Sequence, residues 1–244
     1  MIEEPIPLDP EGVEERQLWQ VGYELAAMYW PGLPEDDFYA YARDFSLAYA
    51  EWSEIVGDDP HQPDVERFYR DGYGMIFSML RKLPQVPASD IVLSSLKVLQ
   101  QKTVLDFGAG IGSLALKLHV AGYNVGCVDV GETATFGSWR MENAGAPIHY
   151  YDSLRQAGRG WKAIIALDVL EHTWNPIELL EGFYDTLPSG GLLVFTVDRF
   201  GPHPTHLARN YWLKEKAPQV LDQVGFRLHR KPDPHYGIGV WRKP

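Results

Sequence analysis

The fold of this 244-residue chain is decided by the stretch VLDFGAGIGS, residues 104–113. An apolar run ends there near Asp106, and Gly108, Gly110 and Gly112 follow at alternate positions before a second apolar run at helical spacing. Glycines at a strand-to-helix junction let the backbone turn sharply and approach a ligand closely. The stretch therefore predicts a ligand-binding loop at the carboxyl end of a buried strand.

Strand-like and helix-like segments alternate from residue 102 to the C-terminus. The apolar patterns predict strands at 103–106, 124–130, 148–151, 163–167, 192–197, 226–230 and 238–242, and helices at 114–121, 131–143, 177–187 and 208–224. Such alternation is typical of an α/β fold. We expect a doubly wound, Rossmann-like, mostly parallel sheet of seven strands whose last two strands form an antiparallel hairpin at the edge.

The N-terminal part of the chain shows helical periodicity instead. Apolar and aromatic residues recur at helical spacing over 13–30, 35–55, 64–82 and 89–98, with turn-forming residues between these segments. This pattern predicts a helical N-terminal cap, residues 1–95, in front of the α/β core, residues 96–244. The aromatic side chains of the cap are expected to form its core and part of a substrate pocket, or a surface for a partner or a homodimer.

Composition limits the classes of partner. The net charge is −11, and residues 1–60 hold 15 acidic side chains against two basic ones. DNA binding requires clustered basic residues, so a DNA partner is not expected. No apolar run approaches the roughly 20 residues of a membrane helix, and the first residues lack the pattern of a signal peptide. With a single cysteine, Cys127, we expect a cytoplasmic protein with no membrane partner.

Two ligand classes fit the glycine loop. Asp129 ends the second predicted strand, where a carboxylate accepts hydrogen bonds from ribose hydroxyls. The glycines also satisfy a dinucleotide fingerprint, so a nicotinamide-dependent oxidoreductase is one alternative. Asp106 favours S-adenosylmethionine, whose ammonium and sulfonium groups suit a carboxylate, over a pyrophosphate, which it would repel. A cofactor-binding partner subunit without catalysis is a further alternative.

Four segments in order resemble the motifs of one family. Residues 104–112 resemble the first motif of the class I S-adenosylmethionine-dependent methyltransferases, and Cys127-Val128-Asp129 resembles the acidic second motif. The segment IIALDVLEH, residues 164–172, resembles the stretch after the fourth strand, and LPSGGLLV, residues 187–194, resembles the turn before the fifth. The resemblance covers roughly residues 100–244 and is similar to the O-methyltransferases of ubiquinone biosynthesis.

The resemblance implies a cofactor site at the carboxyl ends of the strands. Asp106 would lie near the amino group of S-adenosylmethionine, Asp129 would hold the ribose, and Val130 would contact the adenine. Asp152 would receive the adenine amino group, although it is equally typical of a surface turn. The implied cofactor residues are Asp106, Gly108, Ala109, Gly110, Asp129, Val130, Asp152, Leu167 and Asp168.

The acceptor side is predicted more coarsely. We expect methyl transfer to an oxygen or nitrogen atom of a small molecule, with S-adenosylhomocysteine as the product. His172 follows the fourth strand and is the candidate general base, since a hydroxyl acceptor must lose its proton. The other candidate substrate contacts are Tyr69 and Tyr73 from the cap and His203 and His206 after the fifth strand.

A divalent metal is an alternative for the same region. Asp168, Glu171 and His172 have D-x-x-E-H spacing, and His206 supplies a further imidazole. This arrangement resembles the metal-assisted methyltransferases of the ubiquinone pathway and of small RNA, in which an ion orients hydroxyl groups. Asp168 replaces the longer glutamate that is more usual there, so the metal is not the favoured hypothesis.

Overall fold

The computed structural model describes residues 15–42, 46–81, 83, 88–196, 203 and 205–244. The chain divides into two compact units. The first, called here the helical unit, comprises residues 1–87, 110–113 and 130–146. The second, called the sheet unit, comprises residues 88–109, 114–129 and 147–244. The helical unit therefore includes the second half of the glycine loop and a helix from the C-terminal part of the chain.

The sheet unit contains the predicted seven-stranded sheet. Its strands are β1 (Thr103–Phe107), β2 (Asn124–Val128), β3 (His149–Tyr151), β4 (Ala163–Ala166), β5 (Leu192–Thr196), β6 (Arg227–Arg230) and β7 (Ile238–Arg242). Their order is β3-β2-β1-β4-β5-β7-β6. The first five are parallel, whereas β7 runs antiparallel to both β5 and β6. The Rossmann-like sheet with an antiparallel edge hairpin is therefore confirmed.

The strand order places a switch point at β1. After β3 the chain crosses back, and β4 pairs with the opposite side of β1 from β2. Ligands of doubly wound sheets bind outside the carboxyl ends of the strands at such a point. Asp106 pairs with Cys127 on one side and with Ile165 on the other. The topology therefore puts Asp106 at the central position of the expected binding edge.

Apolar side chains bury both faces of the central strands of the sheet. The helices of this unit are α6 (Ser89–Leu96), α7 (Ser113–Val120, with Ser113 itself in the helical unit), α9 (Leu154–Ala157), α10 (Pro176–Thr186) and α11 (Leu213–Val224). Every residue of β4 and β5 is buried, as expected for central parallel strands. Phe183 of α10, Phe195 of β5 and Phe226 before β6 belong to one core cluster.

Aromatic packing holds the helical unit together. It contains α1 (Glu15–Tyr29), α2 (Glu35–Ala42), α3 (Ser46–Ile55), α4 (Gln62–Asp71), α5 (Gly74–Leu80) and α8 (Gly131–Asn143). Phe38, Ile76, Leu80 and Phe136 are fully buried in its core. The described helices contain no segment long and apolar enough to cross a membrane.

The predicted helix over 64–82 is wrong, because the structure has two helices there. Gly72 is extended, with φ −78° and ψ 136°, and ends α4. The carboxylate of Glu51 then accepts hydrogen bonds from the backbone N–H groups of Tyr73 (3.2 Å) and Gly74 (2.8 Å). An acidic side chain at the first N–H groups of a helix stabilises a new start, so α5 begins separately.

Several predicted bounds also change. The predicted helix 208–224 begins as a short 3-10 turn, Ala208–Asn210, and α11 starts only at Leu213. The predicted strand 124–130 ends at Val128. The predicted helix 35–55 corresponds to α2 and α3, and residues 43–45 between them lie outside the described residues. Residue 13, the first of the predicted helix 13–30, and residue 197, the last of the predicted strand 192–197, also lie outside the described residues.

Candidate functional site

Asp106 is a buried carboxyl group at the carboxyl end of β1. Its side chain is 4% exposed, and its Oδ2 atom accepts no hydrogen bond from the part of the chain that the structure describes. Burial, reinforced by the charge of Asp129, raises the pKa of Asp106 to about 7. A bound cation stabilises the ionised form of a buried carboxyl group that lacks a hydrogen-bond partner.

The glycine loop continues directly from this strand. The backbone N–H groups of Gly108 and Ala109 donate to the carbonyl oxygen of Val128, at 2.8 and 3.1 Å. Gly108 has φ +71°, and a Cβ atom there would overlap a methyl group of Val169. Only glycine combines this backbone conformation with so close an approach to the segment that follows β4.

The segment after β4 carries backbone strain. Asp168 has φ +52° and is the single non-glycine residue with positive φ among those described. Its backbone N–H donates to Oγ1 of Thr196 at the end of β5, at 3.3 Å. A non-glycine residue in this conformation costs of the order of 1 kcal/mol, and such strain is concentrated at functional sites. Leu167, the residue before it, is half-buried.

Asp129 and Asp152 follow the next two strands. Asp129 is half-buried, and its backbone N–H donates to the carbonyl oxygen of Tyr151 at 3.3 Å. Asp152 is exposed, donates its backbone N–H to Oε1 of Gln156 (2.9 Å), and accepts from Nε2 of the same residue (3.3 Å). These contacts fit the turn interpretation of Asp152, and its role toward adenine stays a prediction.

Gly110 and Val130 belong to the helical unit. Gly110 has φ +58°, and a Cβ atom there would lie 2.5 Å from Sδ of Met79. Val130, 39% exposed, directly precedes α8. Arg140 on α8 donates to the carbonyl oxygen of Ile111 (2.8 Å) and to Oγ of Ser113 (3.0 Å). Arg140 thus braces the glycine loop, a role that no sequence spacing indicates.

His172 has a defined tautomer. Its Nδ1 atom lies 3.0 Å from the carbonyl oxygen of Thr205. A carbonyl oxygen only accepts, so Nδ1 carries the proton and Nε2 carries the lone pair of the neutral ring. Burial is the main cause that lowers the pKa of His172 to about 3; His206 and His203 lower it further, and the Thr205 hydrogen bond acts in the opposite direction. The ring is therefore neutral at physiological pH.

Other predicted residues surround this imidazole. The ligand atoms of Glu171, His172 and His206 all lie within 4.8 Å of one another, whereas Asp168 does not join this group among the described residues. His203 stacks near His206, with ring centroids 4.6 Å apart, and its Nδ1 lies 3.2 Å from Oγ1 of Thr205. The structure thus brings together three of the four metal candidates, Glu171, His172 and His206. His203, the other histidine predicted to contact substrate, lies beside His206.

Asn210 fixes the backbone under this histidine cluster. It is buried, and its Nδ2 donates to the carbonyl oxygens of Leu170 (3.0 Å) and Thr173 (2.7 Å). The backbone N–H of Leu207 donates to the carbonyl oxygen of Glu171 at 2.9 Å. This role of Asn210 is not predicted from the sequence; a polar residue inside an otherwise amphipathic segment is the one signal that points to it.

The two predicted substrate tyrosines lie in the helical unit. Tyr73 stands between α4 and α5, is 40% exposed, and meets the ring of Trp30 edge-on at 6.1 Å. Tyr69 on α4 is half-buried and packs against Phe68 at 5.0 Å. Tyr73 lines a pocket with Trp30 and Phe77, and Tyr69 is not among its lining residues.

Solved structures of other proteins share this architecture. Human N-acetylserotonin methyltransferase in complex with S-adenosylmethionine superposes with a TM-score of 0.57 at 18% identity, over 85% of this chain and 66% of that chain. Magnesium protoporphyrin IX methyltransferase from Synechocystis PCC 6803, with S-adenosylhomocysteine, gives 0.51 at 20% identity, over 83% and 97%. The 1,6-didemethyltoxoflavin-N1-methyltransferase of Burkholderia thailandensis gives 0.50 at 21%, over 65% and 77%.

Sequence comparison assigns the family. No curated protein sequence matches the chain. The family model described as a methyltransferase domain, however, matches residues 79–227, which is more than half of the chain and includes the glycine loop, the strand ends and the histidine cluster. The chain therefore belongs to the methyltransferase-domain family, with the fold of class I methyltransferases.

Proposed function

We propose that this protein transfers the methyl group of S-adenosylmethionine to an oxygen or nitrogen atom of a small molecule. The observation that carries the proposal is Asp106, a buried carboxyl group whose Oδ2 has no hydrogen-bond partner among the described residues, at the switch point of the sheet. S-adenosylmethionine offers an ammonium and a sulfonium group, whereas a dinucleotide offers a pyrophosphate. The site therefore favours the methyl donor over the nicotinamide alternative.

The residues of the strand ends fit this donor. Asp106 neutralises its ammonium, and Asp129 accepts hydrogen bonds from its ribose hydroxyls. Gly108 and Ala109 keep the backbone flat beneath the methionine part, because their N–H groups are already turned toward Val128. Leu167 and the strained Asp168 line the opposite side, and Gly110, Val130 and Asp152 complete the proposed set. The similar human and Synechocystis structures contain this cofactor or its product, which supports the proposal.

When bound, the cofactor supplies an electrophilic methyl group on a positively charged sulfur, and sulfur retains the electrons of the broken bond. The protein must align the acceptor with that methyl group. A hydroxyl acceptor must also lose its proton, whereas a neutral amine attacks the methyl group with its own lone pair. Nε2 of His172 carries a lone pair in the tautomer that Thr205 fixes. His172 is therefore the candidate general base, although its pKa of about 3 makes it a weak one.

A small molecule is the acceptor that the charge distribution favours. Residues 1–60 carry a net charge of −13, from 15 acidic and two basic residues, and this repels a polynucleotide. The similar structures are named for N-acetylserotonin, magnesium protoporphyrin IX and 1,6-didemethyltoxoflavin methylation, and these are small molecules. The proposed substrate contacts are Tyr69, Tyr73, His203 and His206.

A second candidate is a metal-assisted version of the same reaction. One buried carboxylate and two imidazoles offer ligand atoms within 4.8 Å of one another at Glu171, His172 and His206. Mixed oxygen and imidazole ligands are typical of sites for divalent transition metals. An ion there would polarise the acceptor hydroxyl and lower its pKa, replacing the base. His172 would then act as a ligand rather than as the proton acceptor.

Binding and transfer assays test the function. We expect S-adenosylhomocysteine to raise the melting temperature of the protein and NAD to leave it unchanged; stabilisation by NAD alone would overturn the proposal. Transfer of a labelled methyl group from S-adenosylmethionine to phenols and heteroaromatic amines tests catalysis. Cofactor binding without transfer to any acceptor of a broad panel would instead establish a non-catalytic partner subunit.

A further inference from the structure

The helical unit contains a pocket of about 440 Å³. Its lining consists of Trp30, Pro31, Gly32, Leu33, Tyr73 and Phe77. The volume falls within the range of small-molecule sites, roughly 300–1,000 Å³, and the pocket is largely open to solvent. All of these residues are uncharged, and three of them present aromatic rings.

Trp30 forms a fixed wall of this pocket. Its ring stacks on Phe77, with centroids 5.2 Å apart and planes inclined by 21°, and on Phe136, at 5.6 Å and 24°. Tyr29 meets it edge-on at 4.8 Å. Because three rings already hold the indole in place, little conformational entropy of this side chain is lost when a ligand binds.

Tyr73 is a second wall, held by its backbone rather than by its ring. The carboxylate of Glu51 accepts hydrogen bonds from the backbone N–H groups of Tyr73 and Gly74, at 3.2 and 2.8 Å. Its side chain is 40% exposed. The residue is therefore positioned by the start of α5, while its ring remains accessible at the pocket.

We propose that this pocket binds a planar, uncharged aromatic or heteroaromatic molecule. Flat rings gain most from aromatic walls through stacked or edge-to-face contacts. None of the lining residues carries a charge that would attract an ionic ligand. Glu132 is close enough to Tyr29, the neighbour of Trp30, to help raise the pKa of that tyrosine. Glu132 does not line the pocket itself.

The assignment of such a molecule as the methyl acceptor rests on the proposed function, whereas its binding in the pocket does not. Calorimetry on the full chain without cofactor separates the two. The probes are 2-naphthol, which is planar and neutral; phenyltrimethylammonium, which is planar and cationic; and cyclohexanol, which is neutral but not planar. We expect 2-naphthol to bind with 1:1 stoichiometry and more tightly than either other probe.

A matched pair of variants locates the binding. Tyr73→Leu removes an aromatic ring from the pocket lining. Tyr41→Leu is the control, because Tyr41 is similarly exposed (37%, against 40% for Tyr73) and contacts Phe77 (5.2 Å between ring centroids) but does not line the pocket. We expect Tyr73→Leu to weaken 2-naphthol binding about fivefold, with no change for Tyr41→Leu. Leu33→Trp, which enlarges a lining side chain to fill the pocket and keeps Trp30, Tyr73 and Phe77, should also abolish binding.

Three results would overturn the inference: no binding of 2-naphthol, tighter binding of the cation, or equal losses for Tyr73→Leu and Tyr41→Leu. Leu33→Trp decides the matter if Tyr73→Leu does not fold. Failure of the proposed function shows separately, as absent binding of S-adenosylhomocysteine, and leaves the naphthol result standing. Naphthol binding with no methyl transfer to phenols would retain the pocket and reject its ligand as the acceptor.

Discussion

Asp106 lies at the carboxyl end of β1, Asp129 directly follows the neighbouring parallel strand β2, and the charge of Asp129 adds to burial in raising the pKa of Asp106 to about 7. The Oδ2 atom of Asp106 has no hydrogen-bond partner among the described residues. Ionisation of Asp106 therefore destabilises the empty fold and favours a bound cation. This relationship links the stability of the protein to the identity of its cofactor.

Replacing Asp106 should stabilise the empty protein at alkaline pH. The pKa of the carboxyl group is about 3.8 in the unfolded chain and about 7 in the fold, so the folded state binds more protons between these values. Stability is then lost as the pH rises from about 4 to about 7, up to a few kcal/mol. We expect Asp106→Asn to raise the free energy of unfolding at pH 8 and to change it little at pH 4.

Urea unfolding at both pH values measures this difference. Asp185→Asn is the control, since Asp185 is exposed on α10 and away from the strand ends. Two results would contradict the assignment of the raised pKa to Asp106. One is an equal change in the free energy of unfolding for both variants. The other is a difference in that free energy between Asp106→Asn and the parent that does not depend on pH.

The same variant should lose cofactor affinity. An ionised Asp106 is needed to bind the ammonium group, so binding releases a proton and strengthens as the pH rises from 6 to 8. We expect Asp106→Asn to weaken S-adenosylhomocysteine binding about tenfold or more and to remove this pH dependence. Calorimetry in buffers with different ionisation enthalpies detects the proton release directly. An affinity that falls with pH would reject the role of Asp106.

Asp129 and Asp152 should differ sharply in their effect on cofactor binding. Removing a carboxylate that accepts ribose hydroxyl hydrogen bonds costs about 1.5–3 kcal/mol, or roughly tenfold to a hundredfold in affinity. We expect that loss for Asp129→Ala. Asp152 is exposed and bonded to Gln156, so Asp152→Ala should change the affinity less than threefold. An equal loss for both would show that Asp152 receives the adenine amino group.

Gly108 should tolerate no side chain. Gly108→Ala imposes both a positive φ of 71° and an overlap with Val169. Gly190→Ala is a matched control, because Gly190 has φ +79° and a Cβ atom added there would meet no other atom within 4 Å. We expect Gly190→Ala to cost about 1–2 kcal/mol from the backbone alone and Gly108→Ala to cost more.

The excess is the contact with Val169. Combining Gly108→Ala with Val169→Ala should therefore recover part of the stability, and a double-mutant cycle on the free energies of unfolding measures the coupling. Additive free energies would mean that the loop avoids Val169 by shifting, and would contradict the close approach.

His172 should affect turnover and not cofactor binding. If it is the general base, His172→Gln lowers kcat about a hundredfold or more while the Kd of S-adenosylhomocysteine stays unchanged. Chelation then has no effect on the parent enzyme. If Glu171, His172 and His206 hold a metal, exhaustive chelation abolishes activity and a divalent ion restores it in the parent but not in His206→Ala. His235→Ala, at an exposed turn, is the control.

The order of strands and helices in the sheet unit and the position of the glycine loop were predictable from the sequence. Apolar periodicity and the positions of glycines are local properties of a sequence. Residues 104–113 therefore predicted β1, the glycine loop and the place of Asp106, and residues 226–242 predicted the edge hairpin. The family motifs carried the same information. The bounds failed mainly where a distant side chain intervened, as at Gly72, where Glu51 starts a new helix.

Contacts between side chains that are distant in the sequence became apparent only in the folded protein. His172 contacts Thr205 across 33 positions of the chain, and Arg140 braces Ile111 across 29. Likewise, the pocket formed by Trp30, Tyr73 and Phe77 comes from separate segments. Spacing along a chain does not encode such contacts, because they arise from the packing of whole helices and strands. The sequence therefore indicated the methyl donor, while the tautomer of His172, the grouping of Glu171 with two histidines and the aromatic pocket required the fold.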